Sequence, residues 1–92
     1  MILVVASEKD IASLNIAKKL LEHYNFERTT ETFNDNPTYL LKIRSHEIKL
    51  VYTKRDLIYT QDITEHFKPE LIIYISRHSS ASGKPTLSVH TP

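Results

Sequence analysis

Two short runs of consecutive apolar residues constrain the fold of this chain more than any other feature. The runs are Met1 to Ala6 and Leu71 to Ile75, and both are rich in β-branched side chains. A strand with one wet face alternates polar and apolar residues, whereas a continuous apolar run is typical of a strand covered on both faces. The sequence therefore predicts two buried strands, parallel to each other, inside one sheet.

A helix is predicted directly after the first run. Ser7 or Asp10 can cap its first turn, because short polar side chains accept hydrogen bonds from the free N–H groups there. The apolar residues that follow recur at helical spacing and form one stripe that faces the sheet: Ile16, Ala17, Leu20, Leu21 and Tyr24. A strand followed by a helix predicts an α/β fold.

The middle of the chain is assigned from local patterns. Residues 25–37 are polar and contain a turn signal, so we expect an exposed loop with a short strand over residues 30–33. The later predictions are a hairpin of residues 39–43 and 48–52, an extended piece at residues 57–59, and a short helix over residues 62–67 before Pro69. The fold class is thus predicted as α/β, with a mixed, largely parallel sheet flanked by helices.

Length and composition exclude several classes of protein. The chain has 92 residues, no cysteine, one glycine and a net charge of +1. A single small domain is expected, and disulfide frameworks, thiolate metal sites and glycine-rich nucleotide loops are excluded. No apolar run approaches the ~20 residues of a membrane span and no signal peptide is recognisable, so we expect a cytoplasmic protein that does not contact a membrane.

The charge is concentrated in the last part of the chain, after the second buried strand. Residues 76–92 contain Arg77, Lys84 and no acidic residue, whereas the remainder of the chain has a net charge of −1. Ligands of open α/β sheets bind beyond the carboxyl ends of the strands. The same segment holds His78 and His90, which can bind a metal or transfer a proton, and hydroxyl groups that include Ser79, Ser82 and Thr86. This mixture suits a polar, phosphorylated ligand.

The residue order in this segment resembles that of a known family. Ser76-Arg77-His78, Ser82-Gly83 and Pro85-Thr86-Leu87-Ser88-Val89-His90 are similar to the S-R-H-x-S-x-S-G-x-P-x-L-[ST]-V-H run of the archaeal-type D-aminoacyl-tRNA deacylases, also called D-tyrosyl-tRNA deacylases. The first strand, the start of the first helix and residues 57–63 are similar to the amino-terminal part of that family as well. The resemblance therefore covers the chain from end to end.

The resemblance implies an enzyme that hydrolyses the ester between a D-amino acid and tRNA, and it implies zinc as a cofactor. By resemblance, His78 and His90 are the candidates for catalysis and for metal ligation. Two histidines do not complete a catalytic zinc site, which usually has three protein ligands and a water. The remaining substrate-binding candidates are Arg77, Ser79, Ser82, Gly83, Lys84 and Thr86.

Several alternatives remain open at this stage. The two histidines could instead be structural, and the serines could serve to form turns. The chain could be a non-catalytic tRNA- or RNA-binding module, or a metal-independent α/β hydrolase similar in architecture to the peptidyl-tRNA hydrolases. His23, His46 and His66 are expected on the surface, and the tyrosines are assigned to packing rather than to base stacking. Members of the family are longer, so we expect residues 1–92 to be a single, incomplete domain that self-associates or pairs with a missing carboxyl-terminal segment.

Overall fold

A computed structural model describes residues 1–54, 61–75 and 86–89. In chain order, the elements are β1 (Ile2–Ser7), α1 (Ile11–His23), β2 (Glu27–Phe33), β3 (Asn36–Ile43), β4 (His46–Thr53), α2 (Gln61–Phe67), β5 (Leu71–Ile75) and β6 (Thr86–Val89). The extended piece predicted at residues 57–59 lies outside the described residues.

The strands form one six-stranded mixed sheet in the order β2-β3-β4-β1-β5-β6. β1 lies between β4 and β5 and is parallel to both, and β6 is parallel to β5. β2 and β3 are antiparallel to each other, as are β3 and β4. The prediction of a mixed α/β sheet with two parallel, buried strands is confirmed, and the structure shows that these strands are neighbours.

Alternate residues of the central strands divide the core into two clusters, one on each face of the sheet. Leu3 and Val5 of β1 pack with Ile63 of α2. Val4 and Ala6, which point the other way, pack with Ala17 of α1. We call these surfaces the α2 face and the α1 face. Because both faces of β1 are covered, a continuous apolar run is the pattern that this strand requires.

The short strand predicted over residues 30–33 is confirmed as part of β2, but the predicted loop is wrong for residues 27–29, which also belong to β2, and for residues 36–37, which begin β3. The pattern indicated only part of β2 because it is a polar outer strand: five of its seven residues are exposed. It is held to β3 by the Thr29 hydroxyl, which donates to the carbonyl of Thr38 at 3.2 Å and lies 2.6 Å from the Thr38 hydroxyl. Asn34 and Asp35 turn the chain in the left-handed region, with φ of 53° and 64°, which these two residue types tolerate.

Candidate functional site

Four parallel strands end at the same edge of the sheet. β1 ends at Ser7, opposite Thr53 at the end of β4. Ala6 lies opposite Ile75 at the end of β5, and Ile75 lies opposite Val89 at the end of β6. We call this border the carboxyl edge, and it is the place where open α/β sheets bind their ligands.

The site residues predicted from the sequence surround the ends of β5 and β6 in the chain. Arg77, His78, Ser79, Ser82, Gly83, Lys84 and His90 lie outside the described residues. Thr86, the remaining predicted site residue, begins β6 three residues before Val89, and the structure describes its backbone. The paired residues Ile75 and Val89 are therefore the two points from which the chain continues into the predicted site.

Buried polar side chains fix the turn between β1 and α1. Ser7, Ser13 and Thr53 are all at most 2% exposed. The backbone N–H of Ser7 donates to the Ser13 hydroxyl at 3.1 Å, and the N–H of Glu8 donates to the carbonyl of Thr53 at 2.8 Å. These hydrogen bonds join the ends of β1 and β4 and the first turn of α1 into one unit at the carboxyl edge.

Asp10 caps α1, as one of the two sequence predictions states. Its side chain accepts hydrogen bonds from the N–H groups of Ala12 at 3.0 Å and Ser13 at 3.3 Å. Ser7, the other candidate, is the last residue of β1 and does not occupy the cap position. The cap sets the direction of the first turns of α1, which carry Asn15 and Lys18 to the carboxyl edge.

A cleft opens at this edge, between α1, the start of β3 and the end of β4. Its volume is about 430 Å³, and its lining residues are Glu8, Leu14, Asn15, Lys18, Asn36 and Tyr52. The side-chain amide of Asn36 donates to Glu8 Oε1 at 2.8 Å and to the carbonyl of Asn34 at 3.3 Å. We call it the Glu8 cleft.

The Glu8 cleft lies at a topological switch point of the sheet. The chain leaves β1 toward α1, which contributes to the α1 face, whereas α2, the helix that follows β4, contributes to the α2 face. Neighbouring strands whose connections diverge in this way leave a crevice beyond their carboxyl ends. Applied to the second buried strand alone, this rule does not indicate Glu8, although Glu8 directly follows the first.

Tyr52 forms part of the cleft wall. Its ring packs edge-on against Tyr39, with centroids 6.4 Å apart and an interplanar angle of 82°. Burial, and secondarily the nearby Tyr39, raises the pKa of Tyr52 above its ordinary value of 10.0. The phenol is therefore protonated at neutral pH, and it can donate a hydrogen bond.

Other charged and titratable groups lie away from the cleft. His23, His46 and His66 are exposed, which confirms the prediction for these three histidines. On the α2 face, Lys49 Nζ lies 2.8 Å from Glu31 Oε1. This hydrogen bond, opposed by partial burial, holds the pKa of the Glu31 carboxyl below its ordinary value of 4.5.

Residues 1–54, 61–75 and 86–89 contain no group of three His, Asp or Glu side chains that could hold a metal ion. Imidazole nitrogen is a preferred zinc donor, so the chemistry of His78 and His90 fits zinc, but a third protein ligand is not identified. Neither described helix has the length and apolar character needed to cross a bilayer.

The chain is similar in sequence to a group of archaeal proteins that share one name. It is 32% identical over 93 residues to a D-aminoacyl-tRNA deacylase of Pyrococcus horikoshii, covering 95% of this chain and 32% of the relative. Identity to the deacylase of Archaeoglobus fulgidus is 37% over 92 residues, covering 96% and 31%. No family model matches the chain.

A solved structure shares both sequence and fold. The crystal structure of a conserved protein of unknown function superimposes with a TM-score of 0.59 at 34% identity, covering 87% of this chain and 28% of that chain. The chain spans about a third of the length of the curated relatives it matches. The resemblance inferred from the sequence is therefore confirmed: nearly the whole chain is similar to archaeal D-aminoacyl-tRNA deacylases.

Proposed function

We propose that this chain serves in the hydrolysis of the ester bond of D-aminoacyl-tRNA, which releases the free D-amino acid and tRNA and keeps D-residues out of protein. The observation that carries the proposal is the similarity of about 95% of the chain to proteins named D-aminoacyl-tRNA deacylase. A cytoplasmic location goes with a tRNA substrate. In this proposal, the chain is the amino-terminal part of a longer deacylase.

The architecture supports a site at the carboxyl edge, beside the ends of β5 and β6. The residues that directly follow Ile75 and Val89 begin at neighbouring points, because these two residues are paired in parallel strands, about 4.8 Å apart. His90 follows Val89 immediately, and His78 follows Ile75 by three residues. We therefore propose that both histidines act at this end of the sheet.

The roles proposed for the residues follow from the reaction. Ester hydrolysis requires an activated water, stabilisation of the developing oxyanion and groups that hold the tRNA end. His78 and His90 would ligate zinc or transfer the proton of the attacking water. Arg77 and Lys84 would hold phosphate or ribose, with Ser79, Ser82, Gly83 and Thr86 completing the substrate contacts. Zinc, when bound, would lower the pKa of a bound water and polarise the ester carbonyl.

Further polypeptide belongs to the complete enzyme in this proposal. Within the described residues, α1 and α2 contribute to the core over the central strands, and we propose that added helices complete the flanking layers over the outer ones. A chain of 92 residues buries only about 60–65% of its unfolded surface. The length of the relatives supports this addition.

The test is a deacylation assay with D-tyrosyl-tRNA and L-tyrosyl-tRNA, run with this chain and with the full polypeptide that its gene encodes. We expect hydrolysis of the D-ester and sparing of the L-ester. Replacement of His78 or His90 by Ala should lower the rate by at least about 100-fold, the usual scale for a lost proton-transfer group, whereas His46→Ala should have no effect. Absence of chirally selective hydrolysis by the full polypeptide would refute the proposal.

The binding-module alternative has a distinct outcome in the same experiment. If tRNA is bound with a steep dependence on salt and the ester remains intact, the chain is a binding module that neutralises phosphates. Hydrolysis that persists in the presence of a chelator would instead identify a metal-independent hydrolase.

A further inference from the structure

We propose that the Glu8 cleft binds a nucleobase that carries an exocyclic amine, adenine or cytosine. The proposal concerns residues that are far in sequence from the histidine motif: Glu8, Asn15, Lys18, Asn36 and Tyr52. It rests on the proposed function in one respect, namely that the base belongs to the end of a charged tRNA.

The position of the cleft decides which part of the substrate can reach it. Neighbouring strands are about 4.8 Å apart, so the ends of β1 and β6, with β5 between them, are about 10 Å apart. Glu8 follows β1 and turns toward Asn36 on β3, which is on the side away from β6. The cleft therefore lies more than about 10 Å from the chain that leaves β6.

This separation argues against the amino acid itself as the occupant. The α-ammonium group of an aminoacyl ester is attached to the atom next to the ester carbonyl, so both must occupy the same few ångströms. A base of the tRNA end stands across a ribose from the ester, or farther along the strand. A nucleobase is therefore the group whose distance from an ester held at the end of β6 matches the distance of the cleft from that strand.

The chemistry of the lining residues fits a base with an amine. A carboxylate offers about four acceptor positions, and Asn36 donates to one oxygen of Glu8. The remaining acceptor capacity of Glu8 suits an amine donor, and carboxylates accept from the cytosine amine in nucleic-acid recognition, just as amide side chains pair with adenine. Asn15 supplies a second amide at the same cleft.

Two further residues complete the complementarity. Tyr52 is half-buried and lines the cleft, as does the aliphatic Leu14. Single-stranded bases stack on aromatic rings such as that of tyrosine. Lys18 is exposed at the same cleft and can neutralise a phosphate attached to the base's nucleoside. Glu8 thus suits the amine of the base, Tyr52 suits its ring, and Lys18 suits the attached phosphate.

The experiment is a titration of the isotope-labelled chain with four nucleosides, followed by the amide and side-chain NH₂ resonances of the protein. Adenosine and inosine differ at the amine, and so do cytidine and uridine. We expect adenosine and cytidine to shift the resonances of Asn36 and Asn15, and to bind about tenfold more tightly than inosine and uridine, the scale of one specific base contact.

Substitutions assign the effect to its residues. Glu8→Ala, which removes the acceptor, should bring the amine preference to within about twofold, while Glu22→Ala, the same change on the exposed part of α1, should leave it intact. Tyr52→Leu should lower the affinity for all four nucleosides by a similar factor without changing the preference for the amine. A well-dispersed spectrum of each variant before titration establishes that it is folded.

Two results would overturn the inference: equal affinity for the amine-bearing and amine-free nucleosides, or shifts that map away from the cleft. Failure of the proposed function gives a different pattern, in which adenosine still binds at Glu8 but the full polypeptide leaves D-tyrosyl-tRNA intact. Chirally selective hydrolysis without nucleoside binding at the cleft would refute the inference alone.

Discussion

The two faces of the sheet are built from the same strands and differ in how completely they are closed. On the α2 face, Leu3, Val51 and Ile72 are fully buried, together with Ile63 of the helix. On the α1 face, the helix leaves an apolar groove of about 440 Å³, and its lining residues include Ile2, Ile16, Leu20, Leu41, Ile48 and Ile73. The Glu8 cleft lies beside the same helix.

The difference indicates that the two faces contribute differently to stability and to binding. A side chain with no exposure contributes its full transfer free energy and leaves a cavity when truncated, whereas a partly exposed one loses less. The α2 face should therefore supply most of the stability, and the α1 face should hold the surfaces that remain open to other molecules. Neighbouring residues of one strand test this, because they point to opposite faces.

The largest effect is expected at Ile72, which is buried on the α2 face. Ile72→Ala should lower the free energy of unfolding by about 2–5 kcal/mol, measured by urea denaturation. The matched control is Ile73→Ala, one residue along β5, where the side chain is partly exposed in the groove. Its cost should be roughly half or less. Equal losses at the two positions would contradict the comparison.

An intermediate effect is expected at the cap of α1. Asp10→Ala removes the acceptor of two backbone hydrogen bonds and should cost about 1 kcal/mol. Relative to the native chain, Asp10→Ala should accelerate amide hydrogen exchange more in the first turn of α1 than in β1 and β5. Asp10→Asn, which keeps an acceptor, should retain most of the native protection. Uniform loss of protection through the whole sheet would show that the two faces do not respond separately.

The smallest effect is expected at Glu31, beside the α2 face, where Lys49 lowers the pKa of the carboxyl. A lowered pKa in the folded state stabilises the protein above the unfolded value, and the contribution disappears as the pH falls through the lowered pKa. The stability difference between the native chain and Glu31→Gln should therefore be present at neutral pH and vanish in acid. Because the pair is exposed, the difference should be small.

The Glu31 carboxyl can also be followed directly by NMR titration. In Lys49→Met, its pKa should rise toward the ordinary value of 4.5, since the hydrogen bond to Lys49 is the main cause of the shift. Glu47→Gln, an exposed change on the same strand, should leave the Glu31 titration unchanged. An unchanged pKa in Lys49→Met would refute the assigned cause.

Much of the fold was predictable because its central strands are apolar throughout. The continuous apolar runs of Leu3 to Ala6 and Leu71 to Ile75 indicate strands that are buried on both faces. Apolar residues at helical spacing indicate α1. Only residues 30–33 of the polar strand β2 were predicted, because Glu27 to Thr32 offer no apolar alternation. Its pairing depends on contact with β3, which no local pattern encodes.

The candidate site was predictable in a different way. The histidine motif was found through residue order, and its residues other than the backbone of Thr86–Val89 lie outside the described part of the chain. The Glu8 cleft depends on a contact between residues 28 positions apart, Glu8 and Asn36. Spacing along the sequence carries no signal for such a pair, although the position of Glu8 after a buried strand was a usable hint.

The polar character of β2 has a consequence for how molecules of this chain meet one another. An outer strand has unpaired backbone groups that can recruit a strand from another copy, and charged side chains on that strand discourage such pairing. Glu27, Arg28 and Glu31 put charges along β2, and all three are exposed. These charges therefore disfavour edge-to-edge association of copies of the chain through β2, the contact from which fibres grow.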